Sequence, residues 1–252
     1  MKRDSYNPGE VCWIDCGTDM AKGPAFYAKL FGWTLEDLGE SAGGYQMASK
    51  DGSYVAGFGP QQNPGPPTWS VYFRTDDAVK TSELVTAHRG KTLVATTEAM
   101  EAGQFAVFTD PVGAAFSIWQ PKQHPGFGIV DEPGAFCWAE LVTTDVDRSR
   151  TFYTDVFGFT TKESADPIAY TEFQVGEKSI GGMMAKPAEM PAEIPPMWGI
   201  YIAVADTDKT IAKVGQLGGT TVFGPEDLPP GRLASCVDPA GALFSVIALT
   251  QT

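Results

Sequence analysis

An eight-residue motif occurs twice in this chain of 252 residues and constrains the fold more than any other feature. The copies span residues 26–33 and 152–159. In both, aromatic and aliphatic residues are four positions apart, which places them on one face of an α-helix. Gly32 and Gly158 stand where helices commonly end in a left-handed residue. The sequence therefore predicts two aromatic helices, each covering a sheet.

Three further segments recur in the same order with nearly the same separation. They are 12–15 with 137–140, Trp69-x-x-Tyr72 with Trp198-x-x-Tyr201, and the Asp-Pro-x-Gly segment 110–117 with 238–245. Small drifts in separation are what loop insertions between duplicated units produce. We therefore predict two tandem domains, 1–121 and 135–252, joined by a linker at 122–134.

Each half is predicted to contain the same elements. A first strand, 11–17 or 136–143, precedes the aromatic helix, for which Asp19 and Asp145 are candidate N-caps. Pro24 predicts a late or kinked start of the first of these helices.

Hairpin strands, a second helix and three closing strands follow, with turns at Asp51-Gly52, near Gly176 and at each Asp-Pro-x-Gly. The predicted second helices are 77–88 and 206–217, and the closing strands are 91–97, 104–110, 114–120, 220–223, 232–238 and 242–249. The fold class is α+β, with four βαβββ units.

Charge and composition exclude several classes of partner. The formal net charge of −13 repels phosphate backbones, so nucleic acid is not an expected partner. No apolar run is long enough to cross a bilayer, and the first residues lack the apolar core of a signal peptide. We therefore predict a cytoplasmic protein without a membrane partner, whose four cysteines are reduced thiols.

The four βαβββ units, with their Phe-Tyr-x3-Phe-Gly helices and Asp-Pro-x-Gly hairpins, resemble the vicinal oxygen chelate superfamily. That superfamily includes glyoxalase I, extradiol dioxygenases and bleomycin-resistance proteins. The tandem arrangement, with Trp-x-Asp/Glu in each first strand, is similar to the double-domain glyoxalase-like proteins of actinobacteria. Those proteins are often labelled hydroxylases and are found near antibiotic pathways. The resemblance implies half-open barrels whose concave faces hold the ligand.

The resemblance also implies a divalent metal held by His, Gln or Glu, but this chain lacks those residues at the matching strand positions. Those positions carry Cys12 or Trp13, Trp138, Ser70, Gly199, Ser117 and Ser245. They are not a usable set of ligands for Fe, Ni, Zn or Mn. His88 ends a helix and His124 lies in the linker, so neither completes a site. We predict no metal site and no other cofactor.

Two carboxylates are candidate catalytic groups. Asp15 shares a strand face with Trp13, and Glu140 shares one with Trp138. On a cavity wall, burial would raise their pKa values and suit them to act as general bases. The alternative is a structural role, with each carboxylate held by an Arg or Tyr across the barrel.

Tyr72 and Tyr201 are candidates to hydrogen-bond a ligand or to donate a proton, the alternative being core tyrosines with satisfied hydroxyls. Arg74 continues the face of Ser70 and Tyr72. Arg232 is expected either to pair with Glu140 or to bind an anionic ligand.

Aromatic and thioether side chains near the loops suit a planar ligand, the alternative being core packing. This group comprises Trp69, Trp119, Trp198, Met183, Met184, Met190 and Met197. No histidine adjoins Ser117 or Ser245, which excludes a serine nucleophile. The ligand-binding candidates are Trp13, Trp138, Trp69, Ser70, Arg74, Ser117, Trp119, Trp198, Arg232 and Ser245.

Several functions stay open. The leading hypothesis is a metal-independent protein that binds a small apolar or aromatic molecule in antibiotic resistance or secondary metabolism. The second is a metal-free isomerase, cyclase or hydroxylase-type enzyme that uses Asp15 or Glu140 as base and Tyr72 or Tyr201 as acid. A metal-dependent lyase or dioxygenase and a scaffold with degenerate cavities are further alternatives. The expected oligomeric state is a monomer or a homodimer.

Overall fold

The structure, a computed structural model, describes residues 1–62, 64–165 and 168–250. The first half comprises β1 (Val11–Thr18), α1 (Gly23–Phe31), β2 (Thr34–Asp37), a 3-10 turn (Glu40–Ala42), β3 (Gln46–Lys50), β4 (Ser53–Pro60), β5 (Thr68–Arg74), α2 (Ala78–Ala87), β6 (Lys91–Ala99), β7 (Gly103–Thr109) and β8 (Ala115–Pro121). The second half comprises β9 (Phe136–Thr143), α3 (Val146–Phe157), β10 (Thr160–Ser164), β11 (Tyr170–Val175), β12 (Lys178–Ala185), β13 (Met197–Ala203), α4 (Thr207–Gln216), β14 (Thr220–Leu228), β15 (Gly231–Val237) and β16 (Leu243–Leu249).

Each half forms one mixed eight-stranded sheet. The strand order is β2-β3-β4-β1-β5-β8-β7-β6 in the first half and β10-β11-β12-β9-β13-β16-β15-β14 in the second. At the centre of each sheet the first strands of two βαβββ units pair antiparallel, β1 with β5 and β9 with β13. The last strand of each unit lies parallel to its first, as β4 does beside β1 and β8 beside β5. The predicted α+β fold of four βαβββ units is confirmed.

The two aromatic helices join the halves. In α1 the Tyr27 hydroxyl accepts a hydrogen bond from Trp69 Nε1 at 3.0 Å, and the Tyr27 ring lies 5.2 Å from that of Phe244 in the second half. In α3 the Tyr153 hydroxyl accepts from Trp198 Nε1 at 2.8 Å, and its ring lies 5.7 Å from that of Phe116 in the first half. Each aromatic helix therefore covers its own sheet and packs on the last strand of the other half.

The start of each aromatic helix depends on its local sequence. Asp145 caps α3, because its side chain accepts from the Arg148 N–H at 3.1 Å. The predicted Asp19 cap of α1 is wrong: this helix begins at Gly23 with no side-chain cap. Pro24 lies in the first turn of α1, as predicted, and Asp19 accepts instead from the Ala21 N–H at 2.9 Å in a preceding turn.

The predicted turns and helix ends are confirmed. Gly32 and Gly158 end their helices with φ of 74° and 71°. The Asp110 carboxylate accepts three backbone N–H groups, from Val112, Gly113 and Ala114, and Asp238 accepts the equivalent three. These bonds explain why Asp begins each Asp-Pro-x-Gly turn.

Some element bounds differ from those expected. The two outer strands β6 and β14 extend to Ala99 and Leu228, beyond the predicted ends at 97 and 223. β-Bulges interrupt both strands, so the polar and apolar residues do not alternate regularly there. The four cysteines are free thiols. The domain limits 1–121 and 135–252 stay a prediction.

Candidate functional site

The register of the central strands builds a hydrogen-bonded cluster around Asp15, which lies on β1 opposite Ser70 of β5. Asp15 Oδ2 accepts a hydrogen bond from the Tyr72 hydroxyl at 2.8 Å and another from the Tyr45 hydroxyl at 3.3 Å. The Tyr45 hydroxyl in turn accepts from Trp13 Nε1 at 3.1 Å. Two phenols and an indole therefore surround this carboxylate.

The second half repeats the cluster around Glu140. Its Oε1 accepts from the Tyr201 hydroxyl at 2.8 Å, and its Oε2 accepts from the Tyr170 hydroxyl at 3.0 Å. Trp138 Nε1 donates to the Tyr170 hydroxyl at 2.8 Å. Four of the sequence candidates, Asp15, Tyr72, Glu140 and Tyr201, thus form two equivalent pairs. The partners are tyrosines, one of the two residue types expected to hold the carboxylates.

Sequence reasoning missed Tyr45 and Tyr170, although they complete both clusters. Each reaches its carboxylate across a glycine of the neighbouring strand. A Cβ on Gly57 would lie 1.7 Å from the Tyr45 hydroxyl oxygen, and one on Gly182 would lie 2.0 Å from that of Tyr170. The signal was available in the repeat, because a tyrosine and a glycine recur in both halves at matching positions.

Burial changes the protonation of these groups. Burial raises the pKa of Asp15 to about 6, against the smaller opposing effect of the Tyr72, Tyr45 and Ser70 hydroxyls. The pKa of Glu140 is raised for the same reason. Burial and the adjacent carboxylates hold the phenol pKa values of Tyr72 and Tyr201 well above 10. The tyrosines therefore remain hydrogen-bond donors at neutral pH, and Asp15 titrates near the range in which a general base operates.

Asp15 makes stability depend on pH in a testable way. Its folded pKa of about 6 lies above the ordinary 3.8, so between these values the folded chain binds more protons than the unfolded chain. The contribution of Asp15 is therefore complete below pH 3.8 and is lost as the pH rises through 6, a difference of up to about 3 kcal/mol. We expect wild type to lose this much stability relative to Asp15→Asn between pH 4 and 7 in urea unfolding. Parallel pH profiles of the two proteins would contradict the shift.

The linker packs on Trp13 of the first cluster. The Phe127 N–H donates to the Cys12 carbonyl at 2.8 Å, which anchors the linker to β1. The His124 ring lies edge-on to the Trp13 ring at 4.5 Å, and the Trp119 Nε1 donates to the His124 carbonyl at 2.8 Å. Burial lowers the pKa of His124 to about 4, so this imidazole is neutral at physiological pH. Trp13 is consequently buried. Tyr72 is buried as well, whereas Trp138 and Tyr201 in the second half are half-buried.

Four of the predicted ligand-binding residues lie outside the two carboxylate clusters. Trp69 and Trp198 are core residues that bond the helix tyrosines, because they alternate with the cluster-facing residues of β5 and β13. The Arg74 guanidinium pairs with Asp76 at 2.6 Å. The predicted pairing of Arg232 with Glu140 is wrong: Arg232 bonds Asp208 at 2.7 Å and Asp227 at 3.0 Å, on exposed strand and helix ends.

A family model describes the same duplication. The model of the glyoxalase/bleomycin resistance protein/dioxygenase superfamily matches residues 16–118 and 135–246. The chain belongs to this superfamily. Within the part of the chain that the structure describes, no helix is long and apolar enough to cross a membrane.

Two superfamily relatives match along nearly their whole length. The chain is 37% identical to the putative glyoxylase CFP32 of Mycobacterium tuberculosis over 98% of this chain and 97% of the relative. It is 33% identical to the anthracycline biosynthesis protein DnrV of Streptomyces peucetius over 98% and 95%.

Solved structures of the superfamily share the fold at low sequence identity. The 2,3-dioxygenase LapB from Pseudomonas sp. KL28 aligns with a TM-score of 0.68 at 14% identity, covering 97% of this chain and 94% of that one. The Mn(II)-bound glyoxalase from Novosphingobium aromaticivorans aligns with a TM-score of 0.64 at 15% identity, covering 96% and 82%.

The donor set of the clusters does not fit a divalent metal such as the Mn(II) of the Novosphingobium aromaticivorans glyoxalase. Each cluster contains one carboxylate, whose oxygens accept from two tyrosines. The raised phenol pKa values of Tyr72 and Tyr201 disfavour phenolate ligands. Among residues 1–62, 64–165 and 168–250, no three His, Cys, Asp or Glu side chains gather in a group that could hold a metal ion.

Proposed function

We propose that the second domain binds a small planar aromatic molecule at the face carrying the Glu140 cluster, without a resident divalent metal. The observation that carries this proposal is the half-buried group of Trp138, Tyr170, Glu140 and Tyr201, in which Trp138 and Tyr201 are more exposed than their buried counterparts Trp13 and Tyr72. Indole and phenol rings offer a flat apolar surface, and the carboxylate supplies a fixed polar centre. In the first domain the linker packs on Trp13, the counterpart of Trp138, so the second domain is the better site.

The relatives support a role in secondary metabolism. DnrV and the 32% identical DauV of Streptomyces sp. (strain C5) are both named anthracycline biosynthesis proteins, and an anthracycline contains a planar, hydroxylated ring system. The ligand of this chain is accordingly proposed to be a polycyclic aromatic compound, which the protein sequesters or presents within a pathway. We further propose a cytoplasmic monomer or homodimer divided at residues 121 and 135.

A second candidate function is metal-free catalysis. It is favoured by the Asp15 pKa of about 6 and the raised pKa of Glu140, since a general base works best near the ambient pH. In this alternative, Glu140 removes a proton from the bound molecule. The raised phenol pKa of Tyr201 makes the tyrosine a hydrogen-bond donor that positions the carboxylate rather than a strong acid.

The proposal is tested with chelator-treated protein and 2-hydroxyanthraquinone as the probe, followed by tryptophan fluorescence and calorimetry. We expect one bound molecule per chain with a Kd of roughly 1–100 μM. Trp138→Leu should weaken binding at least about 10-fold, and the matched first-domain variant Trp13→Leu should change Kd less than about twofold.

Three outcomes separate the candidates. Glu140→Gln should retain affinity in a binding protein, but it should abolish turnover if the domain is an enzyme. Binding that requires added Fe, Ni, Zn or Mn would overturn metal independence. Absence of binding in the chelator-treated wild type and in the metal-supplemented protein would overturn the proposed ligand class.

A further inference from the structure

A row of four residues crosses the sheet on the cluster face of each domain. In the first domain, register pairs Tyr72 with Ser117, Ser117 with Val107, and Val107 with Val94. Directly opposed residues in neighbouring strands share one face of a sheet. These four side chains therefore extend from the Asp15 cluster on β5 to the outer strand β6.

The second domain repeats the row with two changes. Register pairs Tyr201 with Ser245, Ser245 with Ser235, and Ser235 with Phe223. The row keeps its tyrosine and its first serine, whereas Ser235 stands where the first domain has Val107, and Phe223 stands where it has Val94. The changes lie on β15 and on the outer strand β14, away from the Glu140 carboxylate on β9. They give only the second domain an additional hydroxyl and an aromatic ring.

Three hydroxyl groups of this row extend outward from the Glu140 carboxylate. Tyr201 donates to the Glu140 carboxylate, which can only accept when ionised. Ser245 lies directly opposite Tyr201 on the neighbouring strand. Ser235 Oγ and Ser245 Oγ are 2.9 Å apart. Either serine can donate to the other, and when Ser235 donates to Ser245 its oxygen keeps lone pairs for another donor.

Phe223 supplies a ring beside that acceptor. Its side chain is 49% exposed, although an aromatic ring gains most by burial. Ser235, its register partner, is half-buried. A planar molecule lying on Phe223 would therefore bring an edge substituent to Ser235 Oγ.

We propose that Phe223 and Ser235 are specificity-determining residues that select an aromatic ligand bearing a free hydroxyl group. The ligand ring packs on Phe223, and its hydroxyl donates to Ser235 Oγ, which lies in the same row as Ser245 and Tyr201. This inference rests on the proposed function and adds the substituent that the second domain recognises. A ligand whose hydroxyl is methylated cannot donate to Ser235 Oγ, so this hydrogen bond would be lost.

The test compares 2-hydroxyanthraquinone with its methyl ether at pH 7. Wild type should bind the hydroxyl compound at least about 10-fold more tightly than the ether. Ser235→Val, which installs the first-domain residue, should reduce that preference to less than about twofold. Phe223→Val should weaken binding of both compounds by similar factors, whereas the exposed neighbour Val222→Ala should change neither.

The two proposals fail in different ways. Wild type that binds the probe, together with Ser235→Val and Phe223→Val variants whose affinities and preference are unchanged, would overturn the specificity assignment alone. Wild type that binds neither compound would overturn the proposed ligand class and this inference with it. Ser235→Ala serves as a second variant if Ser235→Val does not fold, and circular dichroism checks the fold of each protein.

Discussion

Replacing Glu10 with Gln is expected to lower the free energy of unfolding by about 2–3 kcal/mol. Glu10 is only 3% exposed. Its Oε2 lies 2.6 Å from Arg3 and accepts the Asn7 N–H at 3.1 Å, while its Oε1 lies 3.1 Å from Lys178 of the second half. The neutral amide would leave two cations without their counter-charge and bury an NH₂ group among donors.

Burial is the variable that this experiment isolates. Glu98 forms an equally short 2.6 Å pair with Lys122 on the surface, and Glu98→Gln should leave the unfolding midpoint unchanged because water screens that pair. The pKa of Glu10 is lowered: burial opposes the shift, but the Asn7 N–H, Lys178 and Arg3 outweigh it. Its contribution is thus present above the ordinary value of 4.5 and is lost as the pH falls through the folded pKa. Equal losses in both variants would contradict the account.

The second large effect is expected from Gly182→Ala. The new methyl group would lie 2.0 Å from the Tyr170 hydroxyl oxygen and 2.3 Å from the adjoining ring carbon, so Tyr170 must leave Glu140 and Trp138. We expect a loss of about 1–3 kcal/mol in stability and at least about 10-fold weaker binding of 2-hydroxyanthraquinone.

Gly199→Ala is the matched control for that variant. Gly199 also lies opposite Glu140, but a Cβ there would meet its nearest atom at 3.7 Å, an ordinary contact. In a Tyr170→Ala background, Gly182→Ala should cost less than it does alone, because the clash has been removed. Additive losses in that double-mutant cycle would show that Gly182 acts through something other than Tyr170.

Most of the architecture could be predicted from the sequence because duplication repeats each signal. The Phe-Tyr-x3-Phe-Gly helices and the Asp-Pro-x-Gly turns are local sequence patterns. Each pattern occurs twice in the same order, which distinguishes it from a chance match. The same dependence on local sequence explains the wrong N-cap prediction at Asp19. An aspartate can cap a helix only where the helix begins directly after it. Pro24 in the first turn delays that entry to Gly23.

The candidate site was predicted in part. Strand parity placed Asp15 and Glu140 on the same faces as Trp13 and Trp138, and the tyrosines of β5 and β13 bond them. Tyr45 and Tyr170 were missed because each side chain crosses a glycine of a neighbouring strand to contact its carboxylate. The sequence of one strand does not show that this space is open. His124 was missed because it contacts Trp13 only where the linker folds back over β1.

The two domains have diverged at the same face. In the first, the linker buries Trp13, and the row from Tyr72 ends in two valines. In the second, Trp138 is half-buried and the row from Tyr201 ends in Ser235 and Phe223. A duplicated protein can retain one copy for packing while the other binds a ligand, and these differences assign binding to the second copy in our proposal.

The most direct test of the central claim is a crystal structure of chelator-treated protein grown with 2-hydroxyanthraquinone. Our account predicts ligand density in the second domain, with the ring on Phe223, the hydroxyl within 3.5 Å of Ser235 Oγ, and no metal ion between ligand and protein. Density beneath the linker in the first domain, or a ligand held through a metal ion, would contradict it.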